Sequence, residues 1–254
     1  MAGIFMDSGA FSAFTRKTEV NLNDYIKFLK QHEDKLDVYC CLDVIGDVEA
    51  TWKNFEKMEK AGLHPLPVYH VGEDEKYLHR CLEYDYFCLG GMAKDSAAKL
   101  RIPFLDKAFT IICDKDGMPT AKVHGLGMTS FELMRRYPFY SVDSTSWVLT
   151  AGMGSIFLPA KGKDTKYDFS GRPHILSFSD RKTEAELNKH FDTCSEGYKQ
   201  WVVEYLEFKG FTLERIRASY KDRRAINVDY LIEFQKTLPE WPWPFKNFRR
   251  NYFH

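Results

Sequence analysis

The chain has only six cysteines in 254 residues, at positions 40, 41, 81, 88, 113 and 194, and no two of them form a CxxC pair. That spacing excludes a zinc ribbon and offers no disulfide framework, so the expectation is reduced, mostly buried thiols and no metal site. Long apolar runs are also missing. Nothing approaches the roughly 20 residues that cross a bilayer, and the opening Met-Ala-Gly-Ile-Phe-Met-Asp lacks the basic start and apolar stretch of an export signal. A soluble, cytoplasmic protein without membrane contact is expected. There is no GxGxxG spacing, which argues against a dinucleotide site. Net charge is absent too, with Lys plus Arg and Asp plus Glu at 36 each. Low-complexity segments and clear linkers are lacking.

What the sequence does have is a repeated alternation. A chain of this length with 44% hydrophobic residues can bury one large core, and single α/β barrels often run to about 250 residues. Residues 2–7 read as a short buried strand ending in Asp7-Ser8-Gly9, where Gly9 permits close backbone approach. Asn21 offers an N-cap to a helix whose buried face is Leu22, Tyr25, Ile26 and Leu29. The pattern then recurs. Strand 38–44 precedes a helix marked by Val48, Trp52, Phe55 and Met58, strand 66–71 a helix over 74–84, and strand 86–92 a helix over 95–114. Strand 122–128 precedes a helix opened by a Thr129 to Glu132 capping box, and a sixth strand ends at Asp143. Two further apolar runs, 154–159 and 174–178, are joined by a polar, Gly-rich link that does not suit a helix. They either close a barrel irregularly or pair antiparallel. A long helix is expected from Thr183, striped by Leu187, Phe191, Cys194, Tyr198, Trp201 and Tyr205, and a second over 228–237. This order predicts a (β/α)8 barrel of TIM type in a single domain, with residues 1–180 as barrel core and 181–254 as C-terminal helices and a basic, aromatic tail.

Barrels of this kind build their sites where the strands end. Here those ends carry Asp7, Asp43, His70, Gly90-Gly91, His124 and Asp143. Each has a plain structural alternative. Asp, Ser and Gly are favoured in ordinary turns, and Asp43 competes with Asp47 for the role of capping the helix from 48. His70 can be a satisfied core histidine, and Gly90-Gly91 either a phosphate-type turn or backbone groups offered to a flat ligand. His124, inside a short strand, reads as structural. Asp143 is followed by Ser-Thr-Ser, so it is either a turn cap or a nucleophile. A carboxylate held rigidly against an electrophilic sugar carbon splits one hard displacement into two easier ones.

Taken in order, Asp7-Ser8-Gly9-Ala10-Phe11, Leu42-Asp43, Val68-Tyr-His70-Val-Gly72, Gly90-Gly91-Met92, His124-Gly125-Leu-Gly127 and Ser141-Val-Asp143-Ser form a register of six motifs. They resemble the DSGGFQ box, base-reading Asp, VQGG segment, GGL turn, MGVG run and nucleophilic Asp of the tRNA-guanine transglycosylase superfamily. The likeness covers about residues 4–147 and is strongest to the shorter members that put 7-deazaguanines into DNA. It implies Asp143 as nucleophile and Asp7 as the proton-transfer group, with Ser8, Gly9, Asp43, His70, Gly90, Gly91, Met92, His124 and Gly125 around the base. The family's zinc insertion, which helps dock tRNA, has no counterpart here, which implies DNA as the polymer. His70 stands where the family has Gln, and Ala10 and Ser12 replace a Gly and a Gln. The implied partners are a DNA or tRNA substrate, a base such as 7-cyano-7-deazaguanine, and a homodimer mate or partner protein. No cofactor is implied, and a phage-encoded copy would work in the host cytoplasm.

Residues 209–254 hold 10 Lys or Arg against 5 Asp or Glu. Arg223-Arg224 and Arg249-Arg250, beside Trp241, Trp243, Phe248 and Tyr252, are the candidates for nucleic-acid contact, the alternative being packing on the barrel. Three other functions are compatible with parts of the pattern. One is the same chemistry on tRNA, and another is a non-catalytic nucleobase-binding module. The third is a barrel lyase or aldolase, whose Schiff-base version wants a strand-end lysine, whereas Lys122 stands at a strand start.

Overall fold

In the first half of the chain, apolar runs alternate with stripes of period 3.6, several of them opened by a capping residue, which is what a parallel sheet with helical crossovers requires. The structure, a computed structural model, describes residues 3–91, 98–128, 130–179 and 189–246. Strand β1 (Phe5–Met6) leads to α1 (Ala10–Thr15) and α2 (Leu22–His32), β2 (Val38–Tyr39) to α3 (Val48–Lys60), and β3 (Val68–His70) to α4 (Glu75–Cys81). Then β4 (Tyr86–Gly90) leads to α5 (Ala98–Ile112), β5 (Lys122–Gly125) to α6 (Phe131–Arg136), and β6 (Ser141–Val142) follows. The caps explain the starts. Asn21 accepts from the N–H groups of Asn23 and Asp24, Asp47 from Ala50, and Asp74 from Lys76. Thr129 lies outside the described residues, and the Leu133 N–H at the head of α6 donates to Ser130 Oγ at 3.3 Å.

Every pairing among these six strands is parallel. Strand β1 pairs with β2, β3-β4-β5-β6 form one sheet, and a Cys40–Leu66 bridge spans the step between them, so spatial order follows chain order. The array curls. The rings of Phe5 on β1 and His124 on β5 stack at 4.0 Å although three strands separate them in that order. Cys40, Leu66, Val68 and Cys88 fill the space between, with Phe5, Val38, Tyr86 and Leu126 around them. Tyr25 ties α2 to this layer by donating to the Cys40 carbonyl at 2.9 Å.

No closed barrel forms among the described residues. The two runs expected as strands seven and eight are instead β7 (Ser155–Leu158) and β10 (His174–Ser177), paired antiparallel in a separate sheet. The connection between them carries only a small hairpin, β8 (Ala160–Lys161) with β9 (Tyr167–Asp168). Without a helical crossover a parallel return is not available, and the antiparallel alternative is the one adopted.

The chain divides into two compact units that interleave along the sequence. The first, Met1–Met128 with Tyr137–Asp143 and Pro242–His254, holds all six parallel strands; the second is Thr129–Arg136 with Ser144–Trp241. A single division near residue 180 is therefore not what the chain shows. Within the first unit Phe245 returns to stack 5.4 Å from Tyr137, and its N–H donates to the Gly117 carbonyl at 2.8 Å. A Cβ on Gly117 would meet the Phe245 carbonyl oxygen at 2.7 Å. In the second unit α7 (Ser146–Gly152), α8 (Glu196–Phe208), α9 (Leu213–Ala218) and α10 (Tyr220–Lys236) accompany the antiparallel sheet. Its core joins Ile156, Leu158 and Leu176 to Val202, Leu206 and Ile216.

Two helices there differ from the sequence reading. The stripe expected as one helix from Thr183 is interrupted. Residues 180–188 lie outside the described residues, Phe191–Thr193 is a single 3-10 turn, Cys194 and Ser195 are extended, and α8 begins at Glu196. Side chains hold the break in place: Thr193 Oγ1 and Cys194 Sγ both donate to the His190 carbonyl, while the Ser177 N–H of β10 takes the Lys189 carbonyl. Helix α10 starts at Tyr220, earlier than 228, because Ser219 Oγ caps the Asp222 N–H.

Asn227 is wholly buried in α10, accepts from the Phe157 N–H at 2.7 Å and donates to the Trp147 carbonyl at 3.1 Å. Asn227→Leu keeps the volume but orphans two backbone groups, and is expected to lower stability by about 2–4 kcal/mol in urea unfolding at unchanged m. A change below about 0.5 kcal/mol would mean that these two bonds contribute little net stability.

Candidate active site

The ends of β2 and β3 set a carboxylate beside an imidazole. The loop after β2 is strapped to α3, since the Val44 N–H donates to Thr51 Oγ1 at 2.8 Å and Asn54 Nδ2 to the Leu42 carbonyl at 3.0 Å. Asp47 is spent on its helix cap, which leaves Asp43 as the site carboxylate. Asp43 Oδ1 accepts from Ser8 Oγ at 3.0 Å, and Oδ2 lies 3.1 Å from His70 Nε2. His70 is gripped from its other side as well. A turn in which Gly72 has φ 93° returns Glu73, whose Oε2 accepts from the His70 backbone N–H at 2.9 Å and whose Oε1 lies 3.2 Å from Nδ1. With a carboxylate on each ring nitrogen, both nitrogens serve as donors. Burial opposes that charge, but the hydrogen bonds from Asp43 and Glu73 and their charges outweigh it and lift the His70 pKa to about 9.

This geometry also gives the double glycine a role. A Cβ on Gly90 would sit 2.5 Å from His70 Cδ2, so only glycine leaves room for the ring. Gly91, at φ 80°, continues in a conformation that favours glycine. Seating an imidazole is thus a use for the pair beyond the two that the sequence suggested.

At the ends of β5 and β6 a second carboxylate is held in another way. Asp143 Oδ1 accepts from the Gly127 N–H at 2.7 Å and lies 3.4 Å from His124 Nε2. The Asp143 side chain stays 44% exposed while that of His124 is 3% exposed. Partial burial works against ionisation, yet the His124 imidazole alongside and the hydrogen bond from the Gly127 N–H prevail and hold Asp143 below the usual carboxylate range. Asp7, after β1, goes the opposite way. Partial desolvation, followed by the charges of Asp143 and Asp43, raises its pKa, and the N–H groups of Gly9 and Ser8 offset only part of this. Two neighbouring carboxyls are pushed apart in acidity, the division that separates a nucleophile from a proton donor.

Asp7, Ser8, Asp43, His70, Gly90 and Asp143 therefore belong to one electrostatic cluster, with Gly9 turning at φ 73° into α1. His124 and Gly125 are interior. The His124 ring stacks on Phe5, and a Cβ on Gly125 would press on Phe139 at 3.1 Å. His124 therefore acts through Asp143, as a support beneath the site. Met92 lies outside the described residues. Asp43 and Leu42 also border a cavity of about 340 Å³ whose walls include Ala10, Ala13, Phe14 and Val44.

In the second unit Arg223 does not fit its expected role in nucleic-acid contact. Its guanidinium donates to the carbonyls of Ala151, Ile216 and Arg217 and is consumed in holding helix ends together. Arg224 lies over the rings of Trp147 and Tyr220. Arg249 and Arg250 are outside the described residues. Sequence reasoning missed Glu73, and treated Ser141 and Gly127 only as parts of motifs. Signals existed for the first two: an acid three residues past His70 across a glycine, and a serine two residues before Asp143 and so on the same strand face. Among the described residues no group of three or more His, Cys, Asp or Glu side chains is arranged to hold a metal ion, and no helix is long and apolar enough to cross a membrane. No protein-family model matches the chain, and no curated protein matches it.

The His70 clamp has a pH signature. Its folded pKa of about 9 exceeds the ordinary 6.5, so its stabilisation is complete below about pH 6.5 and is lost as the pH rises through about 9. Thermal melting of the wild type is expected to fall across that window, and that of His70→Gln to fall less. Parallel pH dependence of the two proteins would show that His70 is not clamped as a cation.

Proposed function

We propose that the chain is a base-exchange pentosyltransferase of the guanine transglycosylase type, replacing guanine in a polynucleotide, DNA in the first instance, with a 7-deazaguanine such as 7-cyano-7-deazaguanine. The observation that carries this reading is Asp143, an acidified, half-open carboxylate fixed by the Gly127 N–H beside an Asp7 of raised pKa. The six parallel strands in chain order support treating the first unit as an incomplete relative of the (β/α)8 barrel, with its site at the strand ends.

With Oδ1 engaged, Oδ2 of Asp143 is the oxygen that attacks C1′ of the target nucleoside. The C1′–N9 bond breaks and its electron pair leaves with guanine, which takes a proton from Asp7. The product is a glycosyl ester on Asp143, as in retaining glycosidases. The incoming base then gives its ring N–H proton to Asp7 and attacks C1′ from the face guanine left. The ester bond breaks, Asp143 recovers its charge, and two inversions give retention. Asp43 faces the donor edge that guanine and its deaza analogue share, and Ser8 and His70 hold it in place. A target base inside a duplex must be flipped out to reach these groups.

The test uses radiolabelled guanine with guanine-containing DNA and, separately, bulk tRNA, counting label in washed polymer. Label in DNA is expected, and Asp143→Asn is expected to lower incorporation by about a thousandfold or more while leaving the melting temperature close to wild type. Label in tRNA alone would move the substrate and keep the chemistry. An Asp143→Asn protein that exchanges at the wild-type rate would overturn the mechanism.

A further inference from the structure

The support beneath Asp143 is longer than the reaction requires. In the sheet register His124 lies opposite Ser141, and Cys88 opposite His124. Ser141 and Asp143, two residues apart, project to the same face, as do Tyr86 and Cys88. The result is a line of polar atoms through an otherwise apolar layer. Tyr86 Oη lies 2.6 Å from Ser141 Oγ, Ser141 Oγ lies 2.6 Å from His124 Nδ1, and His124 Nε2 lies 3.4 Å from Asp143 Oδ1. Phe5 stacks on the imidazole at 4.0 Å with planes 19° apart, which fixes the ring plane.

Two proton orders fit this line, because either hydroxyl of the Tyr86–Ser141 pair can donate, and the one that sets an N–H rather than a lone pair against the Asp143 carboxylate has Tyr86 giving its hydrogen to Ser141. Burial raises the Tyr86 phenol to about 12, so it keeps its hydrogen at neutral pH. When Tyr86 donates to Ser141, the Ser141 hydroxyl is free to donate onward to His124 Nδ1. An Nδ1 that accepts leaves the ring hydrogen on Nε2, facing the carboxylate.

We infer that Tyr86 and Ser141 form a tautomer lock, which holds His124 with its hydrogen on Nε2 and so aims the Asp143 carboxylate for attack; His124 is a positioning residue and touches no substrate. The inference rests on the proposed function for its catalytic meaning, but the lock itself is independent of that reading. The same N–H has a second effect within the proposed reaction. Its attraction for Asp143 across 3.4 Å weakens when the carboxylate becomes an ester and returns when the carboxylate is released, so it favours the return of the enzyme to its starting charge.

The ¹⁵N shifts of the His124 ring, read in wild type, Ser141→Ala and Ser141→Thr, test the lock without any assay of activity. Wild type is expected to show the Nε2–H pattern. Ser141→Ala is expected to lose it, and Ser141→Thr, which keeps a hydroxyl, to retain it. Any other wild-type pattern, or one unmoved in Ser141→Ala, would overturn the lock. In the exchange assay Ser141→Ala is expected to lower kcat on the order of tenfold with KM little changed, and Ser141→Thr to recover most of the rate. Equal kcat in Ser141→Ala and wild type would overturn the link to catalysis. Absence of exchange in wild type would overturn the proposed function, while the ring shifts would still decide the lock.

Discussion

Carboxyl groups brought together in a partly dry site repel one another, and each must be protonated, paired or hydrogen-bonded. Asp7, Asp43, Glu73 and Asp143 lie together at the strand ends, and they meet this constraint in three ways. Asp43 and Glu73 share one cation, His70, which their combined attraction keeps charged against its own burial. Asp7 yields by becoming a weaker acid. Asp143 is made more acidic, by a backbone N–H and a buried imidazole. Much of the surrounding architecture serves this distribution of charge: Gly90 makes room for the His70 ring, Gly72 turns Glu73 back towards it, and Thr51 with Asn54 fixes the loop that carries Asp43.

The cluster and the exposed ion pairs elsewhere are not equivalent in energy. Arg80 with Glu56 and Lys199 with Glu196 are open to solvent on one or both partners, where water screens such pairs and little net stability results. His70 and Asp43 are screened far less, because their side chains are only 17% and 9% exposed. A change at the surface pairs therefore alters the molecule little. Losing one partner of the buried set leaves an uncompensated charge, which is the costly case.

Much of the first unit was legible in the sequence because local signals and tertiary outcome agree there. Asn21, Asp47 and Asp74 cap where their positions before apolar stripes suggested, and the six parallel strands follow apolar runs at the expected intervals. Asp7, Asp43, His70 and Asp143 could be picked out because strand ends of a βα array converge. Their division of labour could not be, since it depends on distances between residues far apart in the chain. The second unit was harder to read. The sequence stripe from Leu187 to Tyr205 keeps helical periodicity straight through the His190–Ser195 break, and periodicity alone does not register the extra bonds that the His190 carbonyl accepts. Arg223 likewise reads as a surface cation until the carbonyls of Ala151, Ile216 and Arg217 are seen to converge on it.

The return of Phe245 to Gly117 and Tyr137 has a consequence for how the protein is made. Ribosomes deliver the chain at about 5–20 residues per second, so β6 emerges several seconds before the segment that packs on Phe109 and Tyr137 exists. During that interval the first unit holds its strands and its acidic cluster but lacks a piece of its own hydrophobic cover. The intervening residues 144–241 can meanwhile condense on their own core. The unit that starts first is then the one completed last, and it is the half of the molecule that carries Asp143.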